Sequence, residues 1–229
     1  MHVVALIAAA GQGKRIGGEK PKAFLPLGPL PILAHTLQKF ETCLQVDEIL
    51  PLVPPGESVI WTGEIVRQSG LKKVFQVLPG GEERQESISI GLKAIQGKAD
   101  WVIIHDGARP FVPLELIERT LSEVRRWNAV VAALPAHETL KEVSPVQEVL
   151  RTVDRRRFWM VQTPQSFEFD LILRAHEQAR KDGFLGTDDS SLVERLGIPV
   201  RIIEGSRFNF KITTSEDLIL AEALLKHLN

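Results

Sequence analysis

Basic residues beside glycine-rich loops are the part of the sequence best suited to chemistry, and they indicate binding of phosphate groups. Residues 8–17 read Ala-Ala-Ala-Gly-Gln-Gly-Lys-Arg-Ile-Gly, and Lys20 and Lys22 follow closely. Small residues let backbone N–H groups approach an anion, and basic side chains neutralise its charge. A plain turn leaving a strand is the alternative. We interpret Lys14 and Lys20 as solvated and expect the rest of this loop to bind an anion.

The spacing of these glycines excludes two common phosphate-binding loops. A P-loop has four residues between its glycines and Ser or Thr after its Lys, whereas Gly13-Lys14 is followed by Arg15. A dinucleotide-binding fingerprint requires glycine where this chain has Ile16. The loop therefore disfavours a dinucleotide-dependent dehydrogenase and predicts another class of phosphate-binding protein.

Two further segments place polar or small residues directly after apolar runs. Asp106 follows the run 101–105, and a carboxylate at a strand end is where a metal–phosphate complex binds in α/β proteins. A cap for the next helix is the alternative interpretation. Pro79-Gly80-Gly81 begins a second glycine loop, which is either part of the binding site or a simple connection from a strand to a helix.

Isolated basic residues late in the chain are the remaining candidates. Lys211 lies in the otherwise apolar run 208–213, as an edge-strand residue with its charge in solvent or as a cation directed into a cleft. Arg155 belongs to a run of three arginines, of which we expect at most one to have a specific role. The sequence contains no nucleophile elbow and no His-Glu-x-x-His motif. The chemistry indicated is phosphate binding rather than covalent catalysis.

Composition restricts the class of protein further. The 229 residues carry 28 Lys and Arg against 29 Asp and Glu, a net charge of −1 that argues against a nucleic-acid-coating protein. The single cysteine, Cys43, excludes an intrachain disulfide framework and a multi-cysteine zinc site. No apolar run approaches the ~20 residues of a membrane span. We therefore predict a cytoplasmic protein with neither a membrane nor a nucleic acid as partner.

The apolar pattern predicts an α/β fold. Strand-like runs alternate with stretches of helical periodicity, which is typical of βαβ units and a mostly parallel sheet. At roughly 150 residues per domain, we expect a single domain over 1–229. Thr214 and Asp217 are spaced as a capping box before the last helix. Predicted strands are 3–9, 48–53, 73–78, 101–105, 129–134 and 200–203, and helical spacing marks Leu33, Leu37, Phe40 and Leu44, then Ile88, Leu92 and Ile95, then Leu114, Ile117, Leu121 and Val124, and finally Leu218, Ala221, Leu225 and Leu228.

One stretch interrupts this alternation. Residues 139–143 and 146–153 alternate apolar and polar side chains around Ser144-Pro145. This pattern predicts a β-hairpin that is inserted in the α/β body as an arm over 137–155. An isolated hairpin is only marginally stable in water, so the arm must pack on something, and a second subunit is a natural candidate.

Several separated motifs together resemble one protein family. Ala-Ala-Gly-x-Gly-x-Arg at 9–15, with Pro21-Lys22, resembles the nucleotide-binding signature of the sugar-phosphate nucleotidyltransferases. Further motifs narrow the resemblance to the 2-C-methyl-D-erythritol 4-phosphate cytidylyltransferases, and their order and spacing from the first strand to the last helix are specific. These motifs are Gly-Gly-x-x-Arg-x-x-Ser at 80–87, His-Asp-x-Ala-Arg-Pro at 105–110, Thr-Val-Asp-Arg at 152–155, Thr-Pro-Gln at 163–165, Thr-Asp at 187–188 and Asn-Phe-Lys-Ile-Thr at 209–213.

The resemblance implies a Rossmann-like α/β domain and a homodimer joined through the hairpin arm. It implies transfer of a cytidylyl group from CTP to 2-C-methyl-D-erythritol 4-phosphate with Mg²⁺, giving pyrophosphate and the CDP-alcohol of non-mevalonate isoprenoid biosynthesis. In such enzymes the phosphate of the acceptor attacks the α-phosphate of CTP directly. Catalysis then consists mostly of positioning and of charge stabilisation.

The resemblance also implies roles for individual residues. Arg155 and Thr139 would reach the site from the arm of the neighbouring subunit. The matched catalytic cations are Arg15, Lys22, Arg155 and Lys211; the nucleotide-binding residues are Ala9, Ala10, Gly11, Gly13, Gly81, Glu82, Ser87, Asp106 and Gly107; the acceptor-binding residues are Asp106, Arg109, Thr139, Arg155, Thr163, Thr187 and Lys211; and Asp106 also lies near the metal.

Two alternatives remain open from the sequence. A nucleotide-binding regulatory module without turnover is one, and the retained charged residues of the motifs argue against it. A ribitol-5-phosphate cytidylyltransferase is the other, since it shares most of these motifs. The residues that would discriminate between the two polyol phosphates are Thr139, Arg155, Thr163 and Thr187.

Overall fold

A computed structural model describes residues 1–11 and 21–228. The predicted site residues Gly13 and Arg15 lie outside the described residues, as do Lys14 and Lys20. The strands are β1 Val3–Ala8, β2 Pro26–Leu27, β3 Leu30–Pro31, β4 Glu48–Val53, β5 Leu78–Pro79, β6 Trp101–Asp106, β7 Ala129–Pro135, β8 Lys141–Val143, β9 Val149–Thr152, β10 Trp159–Glu168 and β11 Arg201–Glu204. The helices are α1 Ile32–Thr42, α2 Glu57–Gln68, α3 Arg84–Ala94, α4 Leu114–Trp127, α5 Phe169–Lys181, α6 Asp189–Arg195 and α7 Ser215–Leu228.

A central seven-stranded sheet has the strand order β11-β7-β10-β6-β1-β4-β5. Strand β10 runs antiparallel to both of its neighbours, and the other pairings in this sheet are parallel. The predicted α/β fold with a mostly parallel sheet is therefore confirmed. Because β1, β4, β5 and β6 are parallel, their carboxyl ends meet at one edge, where Ala8 lies beside Asp106.

Helices cover both faces of this sheet. Side chains alternate along β1, so that Val3, Ala5 and Ile7 pack on one face while Val4 and Leu6 pack on the other. The first face packs against α1 and α4, and the second packs against α3, α5 and α6. Both faces are buried, which explains why β1 is a continuous apolar run in the sequence.

The four helices with predicted apolar spacing are present, with one error at a boundary. Leu44 was expected to continue α1, but it lies beyond the helix and its side chain is 91% exposed. The chain leaves α1 at Cys43 with extended backbone angles, so a residue four positions after Phe40 no longer lies on the buried face. Among the described residues, no helix is both long enough and apolar enough to cross a bilayer.

The predicted strand 73–78 is mostly wrong. Only β5 forms a ladder with β4, and Val74 makes one isolated bridge to Ile49. Leu78 lies opposite Leu52, so four residues of this segment span a distance that three residues of β4 span. The extra residue between the two pairings interrupts the ladder.

Strand β10 is the longest strand described, and the sequence pattern did not predict it. Pro164 lies within it, and proline lacks the N–H group that a central strand donates to its neighbours. The structure accommodates the proline at an irregularity, because pairing with β7 is interrupted between Val161 and Gln165. Pairing with β6 involves only residues 165–168.

The predicted hairpin is confirmed as a separate two-stranded sheet. Strands β8 and β9 are antiparallel, with Lys141 opposite Thr152, and every residue in them is exposed. The second strand begins at Val149 rather than at residue 146, because the turn is longer than expected. Ser144 N–H donates to the carbonyl oxygen of Glu148 at 2.9 Å and closes this turn.

The predicted capping box at the start of α7 is also confirmed. Asp217 N–H donates to Thr214 Oγ1 at 3.3 Å, and the Asp217 carboxylate accepts the N–H of Thr214 at 2.9 Å. This reciprocal pair satisfies two backbone groups at the helix start. It fixes α7 directly after residues 208–213, which carry Lys211.

Candidate active site

The candidate site lies at the carboxyl edge of β1, β4, β5 and β6. Backbone hydrogen bonds continue the sheet past the strand ends. Ala9 N–H donates to the carbonyl oxygen of Leu52 at 2.8 Å, and Gly80 N–H donates to the carbonyl oxygen of Val53 at 2.7 Å. These bonds place the start of the first glycine loop beside the second. Ligands of parallel sheets bind beyond the carboxyl ends of strands, so this edge is the expected location of a site.

An inner pocket opens between the two glycine loops and the end of β6. Lys22 reaches it from a one-turn 3₁₀ helix that is anchored by the buried residues Ala23 and Phe24. The pocket brings together most of the residues that the family resemblance assigned to nucleotide binding. It is lined by Ala8, Ala9, Ala10, Gly11, Lys22, Ala23, Gly81, Glu82, Glu83, Arg84, Ser87, Asp106, Ala108 and Lys211.

Close packing of the two loops requires glycine at position 80. A Cβ atom on Gly80 would lie 2.5 Å from both Ala10 Cβ and Ser87 Oγ. Gly81 N–H donates to Ser87 Oγ at 3.1 Å, and the Ser87 hydroxyl donates to the carbonyl oxygen of Glu83 at 3.1 Å. Ser87 therefore lines the inner pocket and also fixes the backbone of the loop around it.

An outer pocket adjoins the inner one and shares a wall of three charged residues with it, namely Arg84, Asp106 and Lys211. Its other walls come from Arg109, from β10 and from the start of α6. Five of the seven predicted acceptor-binding residues therefore line this pocket, namely Asp106 and Lys211 in the shared wall and Arg109, Thr163 and Thr187 in the other walls. The remaining lining residues are Val161, Gln162, Gln165, Asp188, Ser190, Ser191 and Glu194.

Asp106 is the centre of a charge cluster in the shared wall. Its Oδ1 accepts from Arg84 Nε at 3.1 Å, and its Oδ2 accepts from Lys211 Nζ at 3.0 Å and from Arg109 Nε at 3.3 Å. The carboxylate is only 6% exposed. Burial raises the pKa of this carboxyl, but Arg84, Lys211 and Arg109 outweigh burial and hold the pKa well below its usual range. Asp106 is therefore an anion that orders three cations.

A chain of hydrogen bonds fixes the backbone beside that carboxylate. Asp106 N–H donates to Thr163 Oγ1 at 3.0 Å, and the Thr163 hydroxyl donates to His105 Nδ1 at 3.1 Å. His105 Nε2 lies 3.2 Å from the carbonyl oxygen of Arg109, which can only accept, so Nε2 carries the proton. Burial lowers the pKa of His105 to about 3, because the imidazolium form would lose its hydration.

Lys211 reaches the cluster from a segment without regular secondary structure. Ile212 N–H donates to the carbonyl oxygen of Ala108 at 2.9 Å, and Asn209 Nδ2 donates to that of Thr163 at 2.7 Å. These bonds tie the segment to the loop after β6 and to β10. Of the two interpretations of Lys211, the cation directed into a cleft is confirmed, and the edge-strand residue is wrong.

Gly107 is a packing residue and does not line either pocket. A Cβ atom there would lie 2.9 Å from Ala9 Cβ and 3.2 Å from Leu33 Cδ1. Its N–H donates to the carbonyl oxygen of Ala8, and its own carbonyl oxygen accepts from the Thr36 hydroxyl. Position 107 is a variable position of the motif, and in this chain glycine fits there because neighbouring atoms leave little room for a side chain.

The two predicted residues of the arm also lie away from the pockets of their own chain. Thr139 and Arg155 are exposed, and neither lines the inner or the outer pocket. Arg155 Nη1 donates to the carbonyl oxygen of His137 at the base of the arm.

Three polar residues of the pocket walls belong to the quoted motifs but had no role assigned from the sequence, namely Arg84, Gln165 and Asp188. Arg84 borders both pockets, and Gln165 Nε2 donates to Asp188 Oδ2 at 2.7 Å. Asp188 also caps α6, since its Oδ1 accepts the N–H of Ser191 at 3.0 Å. The signal in the sequence for Arg84 and Asp188 is position, because helices that start at the carboxyl edge of the sheet place their first side chains beside the site. Gln165 lies within β10, which the sequence pattern did not predict.

Asp106 is also the residue that the family resemblance places near a metal ion. Its Oδ2 accepts two hydrogen bonds and its Oδ1 accepts one, so one lone pair of Oδ1 remains for a metal. Among the described residues, no group of three or more His, Cys, Asp or Glu is arranged to hold a metal. A single carboxylate oxygen of Asp106 fits a Mg²⁺ ion that takes its other ligands from phosphates and water, as Mg²⁺ commonly does.

Comparison with known proteins identifies the family. The sequence model of IspD, 2-C-methyl-D-erythritol 4-phosphate cytidylyltransferase, matches residues 3–227. The chain belongs to this cytidylyltransferase family. The family member from Geotalea uraniireducens is 46% identical over 231 residues, which cover 100% of this chain and 99% of that protein.

Solved structures of the cytidylyltransferase family have the same fold. The 4-diphosphocytidyl-2C-methyl-D-erythritol synthase from Anaerococcus prevotii superposes with a TM-score of 0.87 at 31% identity, covering 98% of this chain and 96% of that one. The 2-C-methyl-D-erythritol 4-phosphate cytidylyltransferase from Thermus thermophilus gives a TM-score of 0.82 at 39% identity, and the match covers 99% of this chain and 100% of that one. The predicted fold and family are thus confirmed together.

Membership of the cytidylyltransferase family decides between the alternatives that the motifs left open. The chain is an enzyme that transfers the cytidylyl group of CTP to 2-C-methyl-D-erythritol 4-phosphate in isoprenoid biosynthesis. The interpretation as a module without turnover is not supported. The matched family is the one for methylerythritol phosphate, so ribitol phosphate is not supported as the acceptor either.

Neutral His105 gives the stability of the protein a pH dependence. Its pKa of about 3 in the folded state lies below the ordinary value of 6.5, so the unfolded chain gains a proton at this residue near pH 6.5 and the folded chain does not. The contribution of His105 to the free energy of unfolding is therefore fully present above about pH 6.5, and it is lost progressively as the pH falls from 6.5 toward 3. Between pH 7 and 5 we expect this group to lower the free energy of unfolding by roughly 2 kcal/mol.

Urea unfolding at pH 7 and pH 5 measures this contribution. His105→Gln keeps a side-chain donor for the Arg109 carbonyl but does not titrate, so its loss of stability between the two pH values should be smaller than that of the wild type. His137→Gln, a change of an exposed histidine, serves as the control. The neutral state of buried His105 is contradicted if His105→Gln and the wild type lose the same free energy.

Proposed function

We propose that CTP occupies the inner pocket and that methylerythritol phosphate occupies the outer pocket, so that the reacting phosphates meet at the shared wall. The observation that carries this proposal is that one cluster, Arg84, Asp106 and Lys211, borders both pockets. Two anions at 4 Å repel each other by about 1 kcal/mol in water and by several times that in a protein. Lys211, which lies at the junction, offsets part of this repulsion.

Within the inner pocket, we assign the nucleoside to the small residues and the phosphates to the cations. Ala9, Ala10 and Gly11 leave room for a ligand to approach the backbone, and Gly81, Glu82 and Ser87 form the opposite wall. Lys22 is the described cation that lines only this pocket, and it would bind the triphosphate. Arg15 is assigned to the same task from its place in the family motif.

The proposed reaction requires no proton transfer by the protein. An oxygen of the acceptor phosphate bonds to the α-phosphorus of CTP, and the bond from that phosphorus to the bridging oxygen breaks, so pyrophosphate leaves with the electron pair. The attacking phosphate is already an anion. Lys211 and Arg109 would hold it, while Thr163 and Thr187 line the part of the outer pocket that we assign to the polyol. Catalysis then consists of orientation and charge stabilisation.

Substitution of residues that line only one pocket tests this division. We expect Lys22→Ala to lower kcat about 10²–10³-fold, because a positioned cation is lost from the phosphates. Thr187→Ala should raise the KM for methylerythritol phosphate with little change in the KM for CTP. Steady-state release of pyrophosphate measures both, and Lys226→Ala, on the exposed surface of α7, is the control. An increase in the KM for CTP alone on changing Thr187 would contradict the division.

We propose that Mg²⁺ enters the site with CTP and takes Oδ1 of Asp106 as one ligand. The single available lone pair of this carboxylate supports that arrangement, because it leaves most ligand positions to the triphosphate. When bound, the ion neutralises charge on the phosphates. The protein's own residues still orient the reactants.

Metal removal tests this arrangement. Chelation of Mg²⁺ should abolish pyrophosphate release, and added Mg²⁺ should restore it. Calorimetric titration of the nucleotide-free enzyme with MgCl₂ should show only weak binding, because the protein supplies few ligands. Tight binding without nucleotide that Asp106→Asn abolishes would mean that the protein holds a permanent metal site instead.

We propose that the arm joins two copies of the chain and delivers Arg155 and Thr139 to the outer pocket of the partner. Both strands of the arm are exposed, although the arm carries large apolar side chains, and the adjoining part of β10 is also exposed. Exposed apolar surface of this extent is typical of a protein interface. The exposed side chains are Val143, Val146, Val149, Leu150, Phe158, Trp159, Met160 and Val161.

Mixing two inactive variants tests whether Arg155 acts on the partner's site. Arg155→Ala and Lys211→Ala should each be nearly inactive as pure dimers. In a mixed dimer, one site receives Lys211 from one chain and Arg155 from the other, so random exchange should restore about a quarter of wild-type activity. Arg156→Ala, which removes an exposed ion pair with Asp154, should stay active. If Arg155 acted within its own chain, mixing would restore no activity.

A cytoplasmic location is part of the proposal. Cys43 is the single cysteine of the chain, and it is buried and free. A protein without disulfides is typical of a reducing compartment.

A further inference from the structure

A line of polar side chains continues from Asp106 into the protein interior. Arg84 Nη1 donates to Asp189 Oδ2 at 2.6 Å, while Arg84 Nε donates to Asp106. Behind Asp189, His176 Nε2 lies 3.2 Å from Asp189 Oδ1. We call Arg84, Asp189 and His176 the clamp. Asp189 and His176 are each 1% exposed and line neither pocket, so substrates do not reach them.

Stability alone does not explain the clamp. Desolvation of buried ions costs several kcal/mol each, and apolar residues of similar volume often stabilise a protein as well or better. Two buried polar atoms of the clamp, Arg84 Nη2 and His176 Nδ1, also have no hydrogen-bond partner in the described part of the chain. Such imperfect arrangements are expected where function rather than stability determines the residues.

The clamp holds one oxygen of Asp106 and leaves the other to the catalytic cations. Oδ1 accepts from Arg84, whereas Oδ2 accepts from Lys211 and Arg109. A guanidinium group is planar and rigid, so bonds from Nε and Nη1 to two different carboxylates fix its plane. Rotation of the Asp106 carboxylate would break its bond to Arg84. The orientation of this carboxylate is therefore determined from the interior of the protein.

We propose that Arg84, held by Asp189 and His176, is a positioning residue that fixes Asp106 so that Lys211 stays aligned at the junction of the two pockets. This inference rests on the proposed role of Lys211 in holding the attacking phosphate. Lys211 is 37% exposed and its side chain is long, so its ammonium group depends on Asp106 for a fixed place. A displacement of about 1 Å at such a group lowers a rate about 10²-fold.

The alternative is that Arg84 only joins α3 to α6. In that case its loss would lower stability without a specific effect on turnover. The chain offers a matched control for this, since Arg195 and Asp182 form a second ion pair at 3.0 Å between α6 and the end of α5. That pair is partly exposed and lies outside both pockets. Arg195→Gln therefore removes an ion pair from the same layer of helices without touching the site.

The first measurement separates kcat from KM. We expect Arg84→Gln and Asp189→Asn to lower kcat about 10–100-fold while each KM changes less than about threefold, because the substrates still bind but are misaligned. Arg195→Gln should keep wild-type kinetics. Circular dichroism and thermal unfolding monitor the fold. Asp189→Asn keeps the size of the side chain and one acceptor oxygen, so it provides the comparison if Arg84→Gln does not fold.

The second measurement is a double-mutant cycle with Lys211→Ala. If Arg84 acts through Asp106 on Lys211, Arg84→Gln or Asp189→Asn should lower kcat less than about threefold once Lys211 is absent. Radiolabelled CTP allows the low residual rates to be measured. If Arg84 had a purely structural role, the decrease in kcat of the double variant would equal the product of the decreases in the two single variants. That result would overturn the inference. Wild-type kcat in folded Arg84→Gln or Asp189→Asn overturns it as well.

These experiments also distinguish this inference from the proposed function. If Lys211→Ala retained wild-type activity, the proposed role of Lys211 would be wrong, and the inference would fall with it. If Lys211→Ala were nearly inactive while Asp189→Asn were normal, the proposed function would stand and only the clamp would be refuted.

Discussion

The buried carboxylate of Asp106 is the interaction on which the rest of the site depends. Three cations reach it from separate parts of the chain: Arg84 from the start of α3, Arg109 from the loop after β6, and Lys211 from the segment before α7. Without a common anion, these side chains would repel one another and extend into solvent. The parallel sheet provides the fixed point, because Asp106 is the last residue of a central strand.

This arrangement suits a reaction between two phosphorylated molecules. An isolated set of cations would attract phosphates but would not be preorganised, whereas a buried anion orders the cations before any substrate arrives. The side chains of Asp106 and Asp189 are buried, while Lys211 is partly exposed at the junction of the pockets. Within this cluster the carboxylates are therefore buried, and the ammonium-bearing side chain of Lys211 is the most exposed of the charged groups.

The sequence determined those parts of the site that depend on strand ends and small residues. Asp106 and Lys211 could be predicted, since each follows or interrupts an apolar run, and the inner pocket gathers the loop residues expected there. Strand β10 could not, because Pro164 argues against a central strand and only the tertiary irregularity at Val161–Gln165 accommodates it. Arg84 was missed for another reason: its partners Asp106 and Asp189 are 22 and 105 residues away, a distance that no local pattern reports.

The sequence of the arm cannot be explained by contacts within a single chain. Its two strands were predicted from alternation, yet alternation normally places one face of a hairpin on a core, and here both faces are exposed. A two-stranded sheet without a packed face is marginal in water, so its sequence has to be explained by what it packs against. The position of Arg155 and Thr139 also lacks an explanation within one chain, because both residues lie outside the two pockets. A second copy of the chain would explain both observations. It would cover the apolar side chains of the arm, and its outer pocket would receive Arg155 from that arm under the proposed arrangement.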